Sequence, residues 1–122
     1  MWIRRKVKPG QQTGRKLGYP TLNFNAGNFG NDYKPGVYVC EVQIRNKTHK
    51  GALYFGPKLG KPGFALEIYI LDYSGNLYSQ DIQFRPLRWI RAPQNFSSIE
   101  ALKKQIQKDI EYLKLETRSS KI

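Results

Sequence analysis

Two side chains able to ligate a hard cation stand two residues apart in the stretch TGRKLGYPTLNF, residues 13–24: the hydroxyl of Thr21 and the amide of Asn23. Tyr19-Pro20 forces an extended chain just before them. Side chains of an extended chain repeat every two residues, so Thr21 and Asn23 point to one side. Mg²⁺ takes oxygen ligands of this kind and completes its octahedron with water and substrate phosphates. The same pair could equally form the solvent face of an ordinary strand. Just upstream, Gly10, Gly14 and Gly18 accompany Arg15 and Lys16. Exposed backbone N–H groups beside a guanidinium suit the dispersed charge of a polyphosphate, although a basic turn leading into a strand has the same composition.

Glu67 is the second candidate, a lone carboxylate in the apolar run FALEIYILD. Alternation places it on one face with Ala65, Tyr69 and Leu71, opposite Leu66, Ile68 and Ile70. A carboxylate among apolar neighbours is costly unless it is paired or takes up a proton more readily, and the second property suits a general base. An exposed strand position or a buried ion pair with an arginine are the alternatives. A third group, FRPLRWIRAPQNF at residues 84–96, interleaves Arg85, Arg88 and Arg91 with Trp89 and Phe96. Such a set could stack nucleobases or grip one flat heteroaromatic ring, or its aromatics could cover the core where helix meets barrel.

These residues need a scaffold, and the 122 residues, 39% hydrophobic and 13% aromatic, suit one globular domain. Residues 37–44 (VYVCEVQI) alternate, with Tyr38, Cys40, Val42 and Ile44 on the expected core side. Residues 45–50 (RNKTHK) read as a polar turn, 51–55 (GALYF) as its hairpin partner, and 65–71 and 77–84 as two further strands. Short strands joined by Gly, Asn and Ser turns predict a closed or nearly closed antiparallel barrel. From Ile99 the period changes: Ile99, Leu102, Ile106, Ile110 and Leu113 line one face of a helix over about 98–114. Ser97 and Glu100 form a capping-box start, and a frayed tail is expected over 115–122.

The formal net charge is +12, from 21 basic and 9 acidic residues. That excess attracts nucleic acid, an acidic membrane surface or a phosphorylated small molecule without choosing among them, and a solvated basic face would show it too. The single cysteine, Cys40, excludes an internal disulfide and reads as a core residue, and no Cys/His cluster offers a zinc site. The single histidine, His49, falls in the polar turn with nothing nearby to make a nucleophilic site. No segment approaches the roughly 18 apolar residues of a membrane span, and MWIRRKVK lacks the apolar core of a signal peptide. A soluble cytoplasmic protein without a membrane partner is the expectation.

In sequence order, these residues resemble the riboflavin kinase (flavokinase) family. Gly10-x-x-x-Gly14-Arg15-x-Leu17-Gly18-Tyr19-Pro20-Thr21-x-Asn23 is similar to its PTxN strand with the glycine-rich loop before it. KPGVYVCEV, ALEIYILDYSGNLY and IRAPQNFSSIEALKKQIQKDI resemble three further segments, so that the likeness covers essentially the whole chain. The resemblance implies an all-β fold, a six-stranded antiparallel Greek-key barrel with a C-terminal helix. It implies ATP-dependent phosphorylation of the riboflavin 5′-hydroxyl to give FMN. Thr21 and Asn23 would hold Mg²⁺ and the ATP phosphates, with Gly10, Gly14 and Arg15 over those phosphates. Glu67 would be the general base, and Arg91 and Phe96 would contact the flavin. The chain departs from the family pattern at Tyr69, where a histidine is usual, at Ser79 and Pro93, and over Tyr54-Phe55-Gly56-Pro57-Lys58. With no adenylyltransferase domain ahead of the kinase, the expected product is FMN and not FAD. Riboflavin and ATP are the implied partners, a monomer is expected, and a nucleic-acid ligand is disfavoured.

Overall fold

The computed structural model describes residues 2–8, 21–58, 61–70, 77, 80–93 and, near the C-terminus, 104, 105, 108, 111 and 112. The strands are β1 (Ile3–Lys6), β2 (Thr21–Phe24), β3 (Gly36–Ile44), β4 (Lys47–Pro57), β5 (Phe64–Ile70) and β6 (Asp81–Arg91), with a short 3₁₀ turn at Phe29–Asn31. They form one six-stranded sheet in the order β1-β6-β3-β4-β5-β2, and every neighbouring pair is antiparallel. β3, β4 and β5 follow one another as hairpins, and β6 returns to lie beside β3, which is the Greek-key arrangement. Just beyond the end of β1, a bridge reaches across to the other edge strand: the Lys8 amide donates to the Asn23 carbonyl at 2.8 Å. The result is a nearly closed barrel.

The inward faces are those the alternation predicts. Tyr38, Cys40, Val42 and Ile44 of β3 join Leu22, Phe24, Leu53, Leu66, Ile68 and Phe84 in the main core. The Phe24 and Phe84 rings meet at 4.9 Å, and burying each such side chain contributes about 1.5–3 kcal/mol. Cys40 is fully buried, and its thiol is pushed far up by desolvation. On the outer side, Val39 and Ala52 form a separate small cluster with Tyr69 and Ile90 packed against it.

Several boundaries differ from the sequence expectation. The turn after β3 is only Arg45-Asn46, with φ of 50° and 65°, the two-residue hairpin geometry whose twist matches the strands it joins. Lys47 to Lys50 are therefore strand, Lys47 opposite Ile44 and His49 opposite Val42, so His49 is a half-buried strand residue. β5 begins at Phe64, one residue early. β6 starts at Asp81, not at residue 77, because the Gln80 amide turns back to the Leu77 carbonyl, and it runs on to Arg91. Much of the arginine–aromatic stretch is thus strand. Pro86 is accommodated opposite Cys40, beside a register shift in the β3–β6 ladder, the kind of place where a strand tolerates the missing N–H. Lys104, Gln105, Lys108, Glu111 and Tyr112 are helical. The remainder of the expected helix, its capping box and the tail lie outside the described residues. Among the described residues no helix is long and apolar enough to cross a membrane.

Candidate active site

Register places the site. Asn23 of β2 is directly opposite Glu67 of β5, Glu67 opposite Tyr54 of β4, Tyr54 opposite Val37 of β3, and Val37 opposite Arg91 of β6. Directly opposed residues share a face, so one row on the outer side of the barrel carries the amide, the carboxylate and a guanidinium. Three strand spacings separate Glu67 from Arg91, about 14 Å along the sheet. The next row runs Thr21, Tyr69, Ala52, Val39, which puts Thr21 and Asn23 at successive same-face positions of β2.

Asn23 is only 4% exposed although it faces outward, and its Nδ2 is buried without a hydrogen-bond partner among the described residues. Such an orphaned group costs about 1–3 kcal/mol. The position suits an acceptor such as a phosphate oxygen. With the amide turned about its terminal bond, it suits a cation that seeks Oδ1. A hard oxygen-bound ion therefore fits the Asn23 side chain by donor chemistry. A soft or multi-carboxylate site does not, since the described residues contain no group of three His, Cys, Asp or Glu.

Glu67 is half-buried, and the Tyr69 hydroxyl donates to its Oε2 at 3.1 Å. Burial pushes the Glu67 carboxyl above the usual carboxylate range, against opposing pulls from the Tyr69 hydrogen bond and the Lys58 charge. Beside it, the Tyr54 hydroxyl donates to the Pro57 carbonyl at 2.7 Å. Burial and then the Glu67 charge raise the Tyr54 phenol, while Arg91 lowers it. The Tyr54 ring folds over Gly56, where an added Cβ would press on that ring and on Pro93. Two sequence departures, Tyr54 and Pro93, thus meet in one wall of the site. Arg91 itself donates from Nη1 to the Ala92 carbonyl at 3.1 Å.

Arg85, Arg88 and Trp89 of the third group have partners of their own. Arg85 donates to Glu41 at 2.8 Å and lies 4.7 Å from the Trp2 ring. Arg88 contacts the hydroxyl and ring of Tyr112. Trp89 donates to the Pro35 carbonyl at 3.1 Å, with Lys34 3.7 Å above its ring. Each is engaged in a local contact and not in a shared stacking platform. Gly10, Gly14, Arg15 and Phe96 lie outside the described residues. Alternation already places Tyr69 on the face of Glu67, and the structure adds the hydrogen bond between them. Sequence reasoning missed Tyr54, whose place beside Glu67 depends on cross-strand register.

Fold and site together define a nearly closed antiparallel Greek-key barrel with a polar amide–carboxylate site on its outer face. The chain matches the Flavokinase family, described as riboflavin kinase, over residues 1–116, and it belongs to that family. A relative described as an RNA-binding riboflavin kinase, from Bacillus subtilis, is 37% identical over 85% of this chain and 46% of its own length. A bifunctional riboflavin kinase/FMN adenylyltransferase from Listeria monocytogenes is 28% identical over 82% of this chain and 33% of its own. The chain thus spans less than half the length of either relative. Riboflavin kinase from Trypanosoma brucei shares the fold, with a TM-score of 0.65 at 23% identity, over 96% of this chain and 79% of that one.

Proposed function

We propose that the protein transfers the terminal phosphoryl group of ATP to the ribityl 5′-hydroxyl of riboflavin, giving FMN and ADP. The observation that carries this reading is the register of β2 against β5, which sets the buried, unpartnered amide of Asn23 directly opposite Glu67. Family membership names the substrates. Glu67 accepts the proton of the attacking hydroxyl, whose oxygen forms the new bond to phosphorus as the bond to the ADP oxygen breaks. A carboxyl that holds its proton more tightly than usual is a stronger base for that step. Thr21 and Asn23 orient the phosphates and would hold a divalent cation, Mg²⁺ on this reading, which when bound supplies charge neutralisation. Arg91 and Phe96 hold the flavin. Gly10, Gly14 and Arg15 cover the phosphates. The chain's part is mainly alignment and charge compensation, as phosphoryl transfer requires.

The test is purified protein with riboflavin and MgATP, followed by chromatography for FMN, with Glu67→Gln and Thr21→Ala in parallel. FMN from the wild type and its loss in both variants supports the assignment. Flavin or ATP binding with no FMN under any nucleotide or divalent metal would make the protein a binding barrel instead. The charge of +12 and the RNA-binding relative favour a second reading, RNA binding. It predicts an affinity for RNA that falls steeply with salt, whereas neutral riboflavin binds almost independently of it.

A further inference from the structure

One hydroxyl at the site has no part in the reaction proposed above. Tyr69 follows Glu67 by two residues in β5, on the same outer face, and donates to Glu67 Oε2 at 3.1 Å. Its ring is seated independently of the carboxylate, packing beside Ile90 on the Val39–Ala52 cluster that stands apart from the barrel core. In register it lies between Ala52 of β4 and Thr21 of β2, so both strands that flank Glu67 also flank the phenol that holds it.

A glutamate has three side-chain torsions, and the last is broad, so a lone catalytic carboxylate samples many orientations. A general base has to stay within hydrogen-bond reach of the proton it takes. Among the described residues, the other neighbours of Glu67 do not supply that constraint. Tyr54, across the β4–β5 ladder, commits its hydroxyl to the Pro57 carbonyl. Lys58 acts on Glu67 through its charge alone, and Asn23, across the β2–β5 ladder, makes no hydrogen bond from Nδ2 among the described residues.

We propose that Tyr69 is a positioning residue: seated on Val39 and Ala52, it tethers one carboxyl oxygen of Glu67 so that the other meets the acceptor hydroxyl. The inference rests on the phosphoryl-transfer reading and deepens it. A histidine is usual here in the resembling family, and in this chain the tether is a phenol, whose longer reach comes with an apolar ring that the outer cluster grips.

Tyr69→Phe keeps the ring and its packing and removes the hydroxyl that makes the tether. The expected result is a fall of about tenfold in kcat for FMN formation, with KM for riboflavin and for ATP within about twofold of wild type. A merely structural role would move thermal stability and both KM values instead. The decisive comparison is the double variant. Because Tyr69 acts through Glu67, adding Tyr69→Phe to Glu67→Gln costs no further activity, so the two losses are strongly non-additive. Independent, multiplying losses would overturn the proposal, and so would a Tyr69→Phe enzyme with wild-type kcat. A wild type that makes no FMN overturns the phosphoryl-transfer reading and this inference together, whereas an active wild type with an unaffected Tyr69→Phe variant overturns this one alone.

Discussion

The β2–β5 seam and the β3–β6 seam treat polar groups in opposite ways. Along β3–β6 the charges are matched: Glu41 takes Arg85 of β6 at 2.8 Å, with Lys50 of the adjoining β4 at 3.8 Å, and the ladder absorbs two register shifts and a proline. Along β2–β5 the ladder is regular over all four pairs. Yet it buries an amide nitrogen without a partner among the described residues and holds a carboxyl above its usual range. Irregular backbone with satisfied side chains serves to close a barrel. Regular backbone with a buried, unpartnered amide beside a raised carboxyl fits the proposed ligand platform, because stability alone would have selected apolar residues there.

The contrast can be broken most forcefully at Glu67. Glu67→Gln should lower kcat for FMN formation by about 10²–10⁴-fold, with an unchanged circular dichroism spectrum. The pH dependence has a definite sign. Burial raises the folded-state value above the unfolded one, so the stabilising contribution is fully present below the unfolded carboxylate range and is lost as pH rises through the raised value. Urea unfolding should therefore show the Gln variant gaining on wild type across that window. The acid limb of kcat/KM in the wild type should lie above the ordinary carboxylate value of about 4.3.

The next largest effect belongs to the other seam. Gly36 has φ of +155°, and a Cβ there would overlap the Trp89 indole nitrogen and the Arg91 carbonyl. Gly36→Ala should cost about 2–4 kcal/mol in urea unfolding. Asn23→Leu should move stability and activity in opposite directions: removing the orphaned amide raises stability by about 1–2 kcal/mol while FMN formation falls. Glu41→Gln is the smallest. Arg85 is 40% exposed, so losing the pair should cost less than about 1 kcal/mol and leave the rate of FMN formation unchanged. A large activity loss there would erase the distinction between the seams.

Legibility in the sequence followed burial. The inward set of β3 and the outward face of Glu67 were readable because apolar and polar residues alternate with the strand period. β1, with only Ile3 apolar among IRRK, carried no such signal, and its place was set by pairing with β6. Lys47 to Lys50 looked like a turn because that end of β4 runs past the core, leaving its residues exposed or half-buried. The proline and arginines of β6 masked a strand that a register shift makes possible. For the site, the spacing of Thr21 and Asn23 was visible. The pairing of Asn23 with Glu67 was not, because the two are distant along the chain and become neighbours only in the folded sheet.

The bridge from Lys8 to Asn23 also fixes both ends of the chain that joins them. Its two anchor points are fastened to each other by the barrel, whatever joins them. The strand bearing Asn23 is thus held from both sides, by its ladder with β5 and by this bridge.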